Sequence, residues 1–321
     1  MELMLTTPGT RLGIKNGKLE VSREGDVLGK HPANTIKSLI CLPGVHPNES
    51  VISQISRNGG KLVFLSSAGR LKSMLVTVGD AGNVQTRMHQ FSGFANREMC
   101  LRLSKSIAKS KIHNMDRFSR EFSDEIHVDL RNLKNTISGI DDISTLRGVE
   151  GLAAKMYFSE LRKRIPEKHR ANMRIKRFAP DAMNQAQSFV YSMLHHTMIG
   201  LIHGAGLDPF LGFYHQPSYN HAALASDLME PYRAQVCDRI IVKTFKNGEF
   251  LKALAENDTP EKGLGQMGLT ILRKAYIERL EEKVLVDGEE RSFLRLMHHD
   301  VFDLRRLLDG EEDEFQPWLS A

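Results

Sequence analysis

The sequence predicts an α+β fold in which a small β-rich domain, residues 1–80, precedes a larger all-α domain, residues 81–321. Apolar residues alternate with polar ones as far as about residue 76. Beyond a turn-like stretch at 79–82 they recur at the three- and four-residue spacing of helices. The length of 321 residues also suits two domains of about 150 residues each.

The first two elements are a predicted hairpin. Apolar and polar residues alternate over 12–14 and again over 19–21, and Asn16-Gly17 between them is a residue pair that type I′ turns favour. The rest of the β-rich domain is predicted to contain strands at 39–42, 62–65 and 71–76, a short helix at 51–55 and a hairpin turn at 68–70.

The larger domain is predicted to be helical, because strong strand signals are absent from it. Pro231 has no backbone donor, so a kink or a helix restart is expected there. The block of like charges at 311–314 is typical of a frayed tail. The predicted helices cover 90–108, 116–132, 143–164, 184–203, 224–246, 264–283 and 292–308.

Composition excludes several classes of protein. Hydrophobic residues make up 41% of the chain and charged residues 26%, which excludes a disordered or collagen-like protein. The cysteines Cys41, Cys100 and Cys237 form no CxxC pair, so neither a disulfide framework nor a zinc ribbon is expected. No apolar run reaches about 18 residues and the N-terminus is not signal-like, so a soluble cytoplasmic protein is predicted.

Basic residues concentrate in two stretches. The net charge is only +5, but 162–177 carries eight basic residues against Glu167, and 97–120 carries seven against Glu98 and Asp116. Such concentrations favour binding to a nucleic-acid backbone, and a solvated loop is the alternative. The 162–177 stretch has no aromatic residue, so base stacking is not expected from it. The predicted DNA-binding residues are Arg162, Lys163, Arg164, Lys168, Arg170, Arg174, Lys176 and Arg177.

Glu150 is the first candidate for chemistry. It follows Gly148-Val149 and precedes Gly151 and further small residues on a predicted helix. Small neighbours leave a carboxylate accessible and allow another helix or a ligand to approach closely. An exposed helical glutamate without a function is the alternative.

A histidine and two further acids lie in the second half of the chain. Asp227 and Glu230 are three residues apart, so on a helix both carboxylates project from one face. A divalent cation relieves their repulsion, and His215 would complete the ligand shell. Carboxylates with a single imidazole favour Mn²⁺ or Mg²⁺ over zinc. A surface charge network with Arg233 or Arg239 is the equally weighted alternative.

Other motifs give less support to a function. His195-His196 and His298-His299 lack the spacing of a helical two-histidine metal site, so they are expected to be core or hydrogen-bonded histidines. No Walker loop, GxGxxG, GxSxG or Cys–His pairing indicates nucleotide hydrolysis or acyl transfer.

Four motifs follow one another along the chain. They are Arg147-Gly148-Val149-Glu150-Gly151, the segment from Pro180-Asp181-Ala182-Met183-Asn184 to Ser188-Phe189-Val190-Tyr191, Gly212-Phe213-Tyr214-His215-Gln216, and Asp227-Leu228-Met229-Glu230 with Asp238-Arg239. In this order they resemble the CRISPR-associated integrase family Cas1. The resemblance extends over essentially the whole chain, and it departs from the family pattern at 178–181 and 185–187, which leaves the local helix packing open.

The resemblance implies a metal-dependent DNA endonuclease and integrase that inserts spacers into a CRISPR array. It also implies a homodimer formed through the N-terminal domain, a catalytic helical domain, double-stranded DNA as substrate (the prespacer and the repeat-leader) and the small protein Cas2 as partner. By motif match, the Mg²⁺ or Mn²⁺ ligands would be Glu150, His215 and Glu230, Asp227 would assist catalysis, and Asn184 and Tyr191 would line the active site.

The expected reaction is attack of a DNA 3′-hydroxyl on a phosphodiester of the array, with hydrolysis as the related cleavage reaction. Two other functions stay open. A non-catalytic scaffold would use only the basic stretches. A transposase-like relative would carry an extra C-terminal DNA-binding module, for which no clear signal follows residue 246.

Overall fold

The computed structural model describes residues 2–36, 38–66, 71–75, 83–123, 125–170, 173, 175, 179, 181–256 and 263–321. Two four-stranded sheets occupy the N-terminal part and helices dominate the rest, which confirms the predicted α+β fold class. The predicted turns at 68–70 and 79–82 lie outside the described residues. The domain division at residue 80 therefore stays a prediction.

Strands dominate the N-terminal part. The predicted short helix is present, and it begins at Asn48, whose side chain accepts a hydrogen bond from Val51 N at 3.0 Å. The elements are β1 (Glu2–Leu5), β2 (Arg11–Lys15), β3 (Lys18–Arg23), β4 (Asp26–Pro32), β5 (Ser38–Cys41), β6 (His46–Pro47), α1 (Glu49–Arg57), β7 (Lys61–Leu65) and β8 (Leu71–Leu75).

The strands form two sheets. One has the order β4-β3-β2-β6, and β2 and β3 pair antiparallel as the predicted hairpin. Asn16 and Gly17 have φ angles of 50° and 71°, the left-handed conformation that a type I′ turn requires. The other sheet has the order β1-β5-β7-β8, in which β1, β5 and β7 are parallel and β8 is antiparallel to β7.

Helices form the remainder, together with one hairpin. None of the described helices combines the length and the apolar character needed to cross a membrane. The elements are α2 (Asn83–Ala95), α3 (Arg97–Ser119), α4 (His127–Thr136), α5 (Ile143–Arg162), α6 (Ala182–Gly204), α7 (Ala223–Met229), α8 (Arg239–Thr244), α9 (Gly248–Glu256), α10 (Gly265–Glu281), β9 (Lys283–Val286), β10 (Glu289–Ser292) and α11 (Phe293–Leu308).

The β1-β5-β7-β8 sheet packs against α6. A Cβ added at Gly200 would lie 3.5 Å from a methyl group of Val63, so the helix approaches the sheet closely at this point. The Lys61 ammonium donates a hydrogen bond to the His203 carbonyl at 2.8 Å. The N-terminal part is therefore fixed to a helix that also packs in the core of the helical part.

Two predicted helix boundaries are wrong. The expected helices at 90–108 and 116–132 are instead α2, α3 and α4. The chain turns at Asn96, whose side chain accepts a hydrogen bond from Met99 N at 3.1 Å and begins α3. The apolar pattern continues across this junction, so periodicity alone does not reveal it.

The predicted helix at 224–246 is interrupted as expected. After α7, a 3₁₀ turn covers Glu230–Tyr232 and a π-helical segment covers Arg233–Asp238 before α8 begins. Pro231 explains the interruption because it has no N–H for the helical ladder. The interruption begins at Glu230, which is a predicted ligand.

Two other expectations for the helical part are wrong. The β9–β10 hairpin breaks the helical pattern around Asp287 and Gly288, both of which have positive φ angles. The acidic block at 311–314 does not end in a frayed tail: Phe315 and Trp318 are buried, and the Trp318 ring stacks on Tyr232 with centroids 5.5 Å apart.

Candidate metal centre

Three elements carry the predicted ligands. Glu150 projects from α5, which begins at Asp142, where the carboxylate accepts a hydrogen bond from Thr145 N at 2.9 Å. His215 lies on the loop between α6 and α7. Glu230 opens the 3₁₀ turn after α7. These side chains are separated in sequence, and the packing of α3, α5 and α7 makes them neighbours.

Lys111 of α3 lies between the two glutamates. Its Nζ contacts Glu150 Oε1 and is 2.5 Å from Glu230 Oε2. On the other side of Glu230, His215 Nε2 is 4.0 Å from Oε1. Glu230 is 4% exposed and Lys111 is 7% exposed, whereas His215 is 36% exposed. The cluster is thus buried on its glutamate side and open to solvent at the imidazole.

Asp227 holds the loop that carries His215. Its Oδ2 accepts hydrogen bonds from Phe213 N at 2.7 Å and Tyr214 N at 3.0 Å. Its Oδ1 accepts from His215 N at 2.8 Å and from His215 Nδ1 at 2.7 Å. The bond to Nδ1 leaves Nε2 directed toward Glu230, which is the orientation that a carboxylate imposes on a metal-binding histidine. Asp227 therefore orients His215, and its prediction as a catalytic residue stays a prediction.

The same loop leaves no room for a larger residue at Gly212. A Cβ there would lie 2.7 Å from the carbonyl carbon of Ala223 and 2.9 Å from Asp227 Oδ2. Only glycine allows the loop backbone this close to the start of α7. Gly212 thus helps to keep the 213–215 loop in place, as Asp227 does.

A second set of contacts fixes Glu230. Arg233 Nη1 donates to Glu230 Oε1 at 2.7 Å, and the guanidinium lies over the Tyr191 ring at 4.4 Å. The Tyr191 hydroxyl donates to Asp238 at 2.5 Å, and the Tyr157 hydroxyl donates to the other Asp238 oxygen at 3.0 Å. Tyr191 thus contacts Arg233, and Arg233 in turn binds Glu230.

The alternative of a surface charge network is only half correct. Glu230 does pair with Arg233, but both groups are largely buried rather than on the surface. Arg239 pairs with Glu121 instead. Asp227 accepts hydrogen bonds from the 213–215 loop, so the two acids have different partners although they are three residues apart.

The charges around the cluster control its protonation. Burial alone would raise the pKa of Glu230, but the cations Arg233 and Lys111 outweigh it and lower that pKa to about 2. Burial would lower the pKa of His215, but its hydrogen bond to Asp227 and the charges of Asp227 and Glu230 raise it. The glutamate is therefore ionised at neutral pH, and the imidazole can be protonated more easily than usual.

The types of donor present suit a divalent cation, but with Lys111 between the glutamates the ligand atoms of Glu150, Glu230 and His215 do not all lie within 4.8 Å of one another. Glu230 Oε2 is buried with the Lys111 ammonium beside it, yet among the described residues it has no partner in hydrogen-bond geometry. The buried Tyr214 hydroxyl also lacks a hydrogen-bond partner within the described part of the chain. Carboxylate oxygens and one imidazole are donors that Mg²⁺ and Mn²⁺ accept. A divalent cation would take the place of the Lys111 ammonium, which carries a single positive charge between the two glutamates.

A second acidic group lies elsewhere. His299, Asp300 and Asp303 present ligand atoms within 4.8 Å of one another. Asp300 accepts hydrogen bonds from the Tyr232 hydroxyl at 2.7 Å and from Trp318 N at 3.0 Å. Asp303 pairs with His299 at 2.6 Å and also contacts Arg306. These bonds account for the group as part of the packing between α11 and the C-terminal segment.

Asn184 holds a different segment in place. Its Oδ1 accepts a hydrogen bond from Ile175 N at 3.1 Å, and its Nδ2 donates to the Met173 carbonyl at 2.9 Å and to Asp181 at 2.7 Å. It therefore fastens the chain before α6 to the start of that helix. The lining roles predicted for Asn184 and Tyr191 stay predictions.

Five of the eight predicted DNA-binding residues are described. Lys163, Arg164 and Lys168 are exposed. Arg164 contacts the Phe122 carbonyl, and Arg170 contacts the Arg162 carbonyl, so both also serve the local fold. Burial lowers the pKa of Arg162. The other three, Arg174, Lys176 and Arg177, lie outside the described residues, and DNA binding by the whole set stays a prediction.

Lys111 is the site residue that sequence reasoning missed, because it was counted with the basic stretch at 97–120. Its position contained the signal. Ile107 and Met115, four residues before and after it, are both buried, so Lys111 lies on the buried stripe of α3. A lysine on such a stripe needs buried anionic partners, and here these are the two glutamates.

Comparison with known proteins gives one family for the whole chain. The model of a family described as CRISPR associated protein Cas1 matches residues 3–280. CRISPR-associated endonuclease Cas1 1 of Francisella tularensis subsp. novicida is 30% identical over 332 residues, which cover 99% of this chain and 98% of that protein. A second relative of that name, from Archaeoglobus fulgidus, is 26% identical and covers 99% of this chain and 100% of its own.

Solved structures share the fold. A chain of a partial Cas6-RT-Cas1–Cas2 complex aligns with a TM-score of 0.83 at 19% identity, covering 100% of this chain and 99% of that one. A casposase bound to integration product aligns with a TM-score of 0.73 at 21% identity over 100% of both chains. The match to the family model extends over most of the length, and the chain therefore belongs to the Cas1 family of CRISPR-associated proteins.

Proposed function

We propose that this protein is a metal-dependent DNA integrase and endonuclease that inserts new spacers into a CRISPR array. The observation that carries the proposal is that Lys111 contacts both Glu150 and Glu230 while His215 Nε2 lies 4.0 Å from Glu230 Oε1. Relatives named CRISPR-associated endonuclease Cas1 and the structure of a casposase bound to integration product support the same chemistry.

Glu150, Glu230 and His215 would hold the cation. When bound, Mg²⁺ or Mn²⁺ supplies Lewis-acid stabilisation of the charge that develops on the phosphodiester. Asp227 keeps His215 Nε2 directed at this volume. Nε2 is a ligand when the imidazole is neutral and a proton donor to a leaving oxygen when it is charged. Arg233 keeps Glu230 ionised and in place.

The remaining residues position DNA and partners. A DNA 3′-hydroxyl would attack a phosphodiester of the array, and water in its place would give cleavage. The exposed residues Lys163 and Lys168 and their neighbours would contact the DNA backbone. Residues 1–80 would form the homodimer, and Cas2 would join two such dimers, in line with the Cas1–Cas2 complex among the structural relatives.

Strand transfer with a defined prespacer and a repeat-leader duplex tests the proposal. With Mn²⁺ present, Glu150→Ala and His215→Ala are expected to lose transfer by at least about 100-fold. DNA affinity should stay within about threefold, because neither residue contributes the basic surface. The matched control is Glu278→Gln, whose carboxylate is exposed on α10.

Undiminished transfer by both alanine variants would refute Glu150 and His215 as the catalytic centre, whereas absence of transfer by the wild type would leave the scaffold as the remaining function. Loss of transfer together with loss of DNA binding and of the folded circular-dichroism signal would show only unfolding. For this reason Glu150→Gln, which keeps the side-chain volume, is measured in parallel.

A further inference from the structure

Tyr219 differs from every other tyrosine of the chain. The other five, Tyr157, Tyr191, Tyr214, Tyr232 and Tyr276, are buried, whereas Tyr219 is 95% exposed. A fully exposed aromatic ring is uncommon because its apolar faces remain in water. It therefore points to a ligand or partner that covers the ring.

The turn that carries Tyr219 is well anchored. Ser218 and His221 form an antiparallel bridge, with His221 N donating to the Ser218 carbonyl at 3.1 Å. Asn220 has a φ angle of 57°, the left-handed conformation that asparagine tolerates in tight turns. The structure thus presents the ring from a defined base, which reduces the entropy that binding would cost.

The base of this turn lies next to the metal centre. The His221 ring is 6.1 Å from the His215 ring on one side and 6.1 Å from the His195 ring on the other. Tyr219 is two residues from His221, a reach of about 7 Å at full extension. The exposed ring therefore belongs to a turn whose base adjoins a predicted ligand of the centre.

The surroundings favour DNA as the occupant. Arg147, one turn before Glu150 on α5, is exposed, donates to the Tyr214 carbonyl and lies over the Tyr214 ring at 5.7 Å. An exposed cation and an exposed aromatic near one site are the kind of pair that binds a backbone phosphate and its base. Paired bases are already stacked inside a duplex, so the available base is an unpaired one.

We propose that Tyr219 is a stacking site for an unpaired nucleobase next to the reacting phosphodiester. The inference rests on the proposed function, since it requires DNA at the centre. It assigns base stacking to a loop outside the basic stretch of residues 162–177. Because every base has an aromatic face, the site selects single-stranded character rather than sequence.

The test compares two DNA substrates that differ only in a 3′ overhang. Tyr219→Ala is expected to weaken binding of the overhang substrate by about 5- to 100-fold and to leave blunt duplex binding within twofold. Tyr219→Phe should bind both as the wild type does, since the ring is kept. A 2-aminopurine placed in the overhang should be quenched by wild type and Tyr219→Phe, and not by Tyr219→Ala. Phe91→Ala removes another exposed aromatic, on α2, as the control.

Two results would overturn the inference. One is equal affinity of wild type and Tyr219→Ala for the overhang substrate. The other is an equal loss for both substrates, which would indicate a general effect on the loop or a protein-binding surface. Strand transfer by the wild type is measured in the same preparation. Its absence would refute the proposed function, whereas wild-type transfer together with either of the two results above would refute the stacking site alone.

Discussion

Replacing Asp227 by asparagine is expected to unfold the site while changing a single atom. Each Asp227 oxygen accepts two hydrogen bonds from N–H groups of the 213–215 loop. An amide has only one acceptor oxygen. With its NH₂ group on the Oδ2 side it faces two backbone donors, and on the Oδ1 side it faces the His215 N donor while it can donate to Nδ1 of the other imidazole tautomer. At least one bond to a charged acceptor is lost, at a cost of about 1.5–3 kcal/mol of the free energy of unfolding.

Chemical denaturation at pH 7, followed by circular dichroism, measures this cost. Asp141→Asn is the matched control because that carboxylate is exposed, and its effect should stay within about 0.5 kcal/mol. The His215 pKa should also fall in Asp227→Asn, since the hydrogen bond and charge that raise it are removed. A histidine whose folded pKa is raised stabilises the fold most below its unfolded pKa, so the destabilisation should be larger near pH 5 than near pH 8.

A destabilisation below about 1 kcal/mol, together with an unchanged His215 titration measured by NMR, would refute this reasoning. It would mean that the 213–215 loop keeps its position without the carboxylate. Asp227 would then be available as a ligand rather than as the group that orients His215.

Three further predictions concern the surroundings of the site. Gly212→Ala should destabilise the fold by about 1–3 kcal/mol in denaturation. Gly151→Ala should stabilise it by about 0.5–1 kcal/mol, because an added Cβ there meets nothing within 4 Å. Equal effects of the two substitutions would contradict the close approach at Gly212. Burial raises the pKa of Asp300 to about 7, so the folded state holds a proton that the unfolded state releases near pH 4. Between these two pH values the free energy of unfolding of the wild type should fall with rising pH by roughly 4 kcal/mol relative to that of Asp300→Asn. Parallel plots of the free energy of unfolding against pH for the two proteins would contradict this. Tyr214→Phe should have the same denaturation midpoint as the wild type, because the Tyr214 hydroxyl has no hydrogen-bond partner among the described residues. The variant should slow strand transfer at least about tenfold. An unchanged rate would show that the hydroxyl does not serve the reaction.

Local signals predicted part of the fold well. The helices α5 and α6 lie within two residues of their predicted limits because Asp142 and Asp181 cap their starts and apolar residues repeat throughout. The Asn16-Gly17 hairpin followed from turn chemistry in the same way. The apolar pattern continues across Asn96, so the boundary between α2 and α3 depends on the capping side chain of Asn96 and not on the periodicity.

The candidate site was only partly predictable for a different reason. Motifs predicted Glu150, His215 and Glu230 as ligands, but a sequence motif does not show which charged side chains contact one another. Lys111 joins the two glutamates from α3, and only the packing of α3 against α5 and the turn after α7 brings it there. The same limit applies to Trp318, whose stacking on Tyr232 depends on where the C-terminal segment returns.

The central claim is that one cation binds where Glu150, Glu230 and His215 converge. Mn²⁺ titration followed by electron paramagnetic resonance tests it without relying on activity. Glu150→Gln is expected to weaken Mn²⁺ binding by at least about tenfold, and Asp303→Asn, in the other acidic group, is expected to bind Mn²⁺ as the wild type does. Mn²⁺ binding that is unchanged in Glu150→Gln and lost in Asp303→Asn would contradict the account.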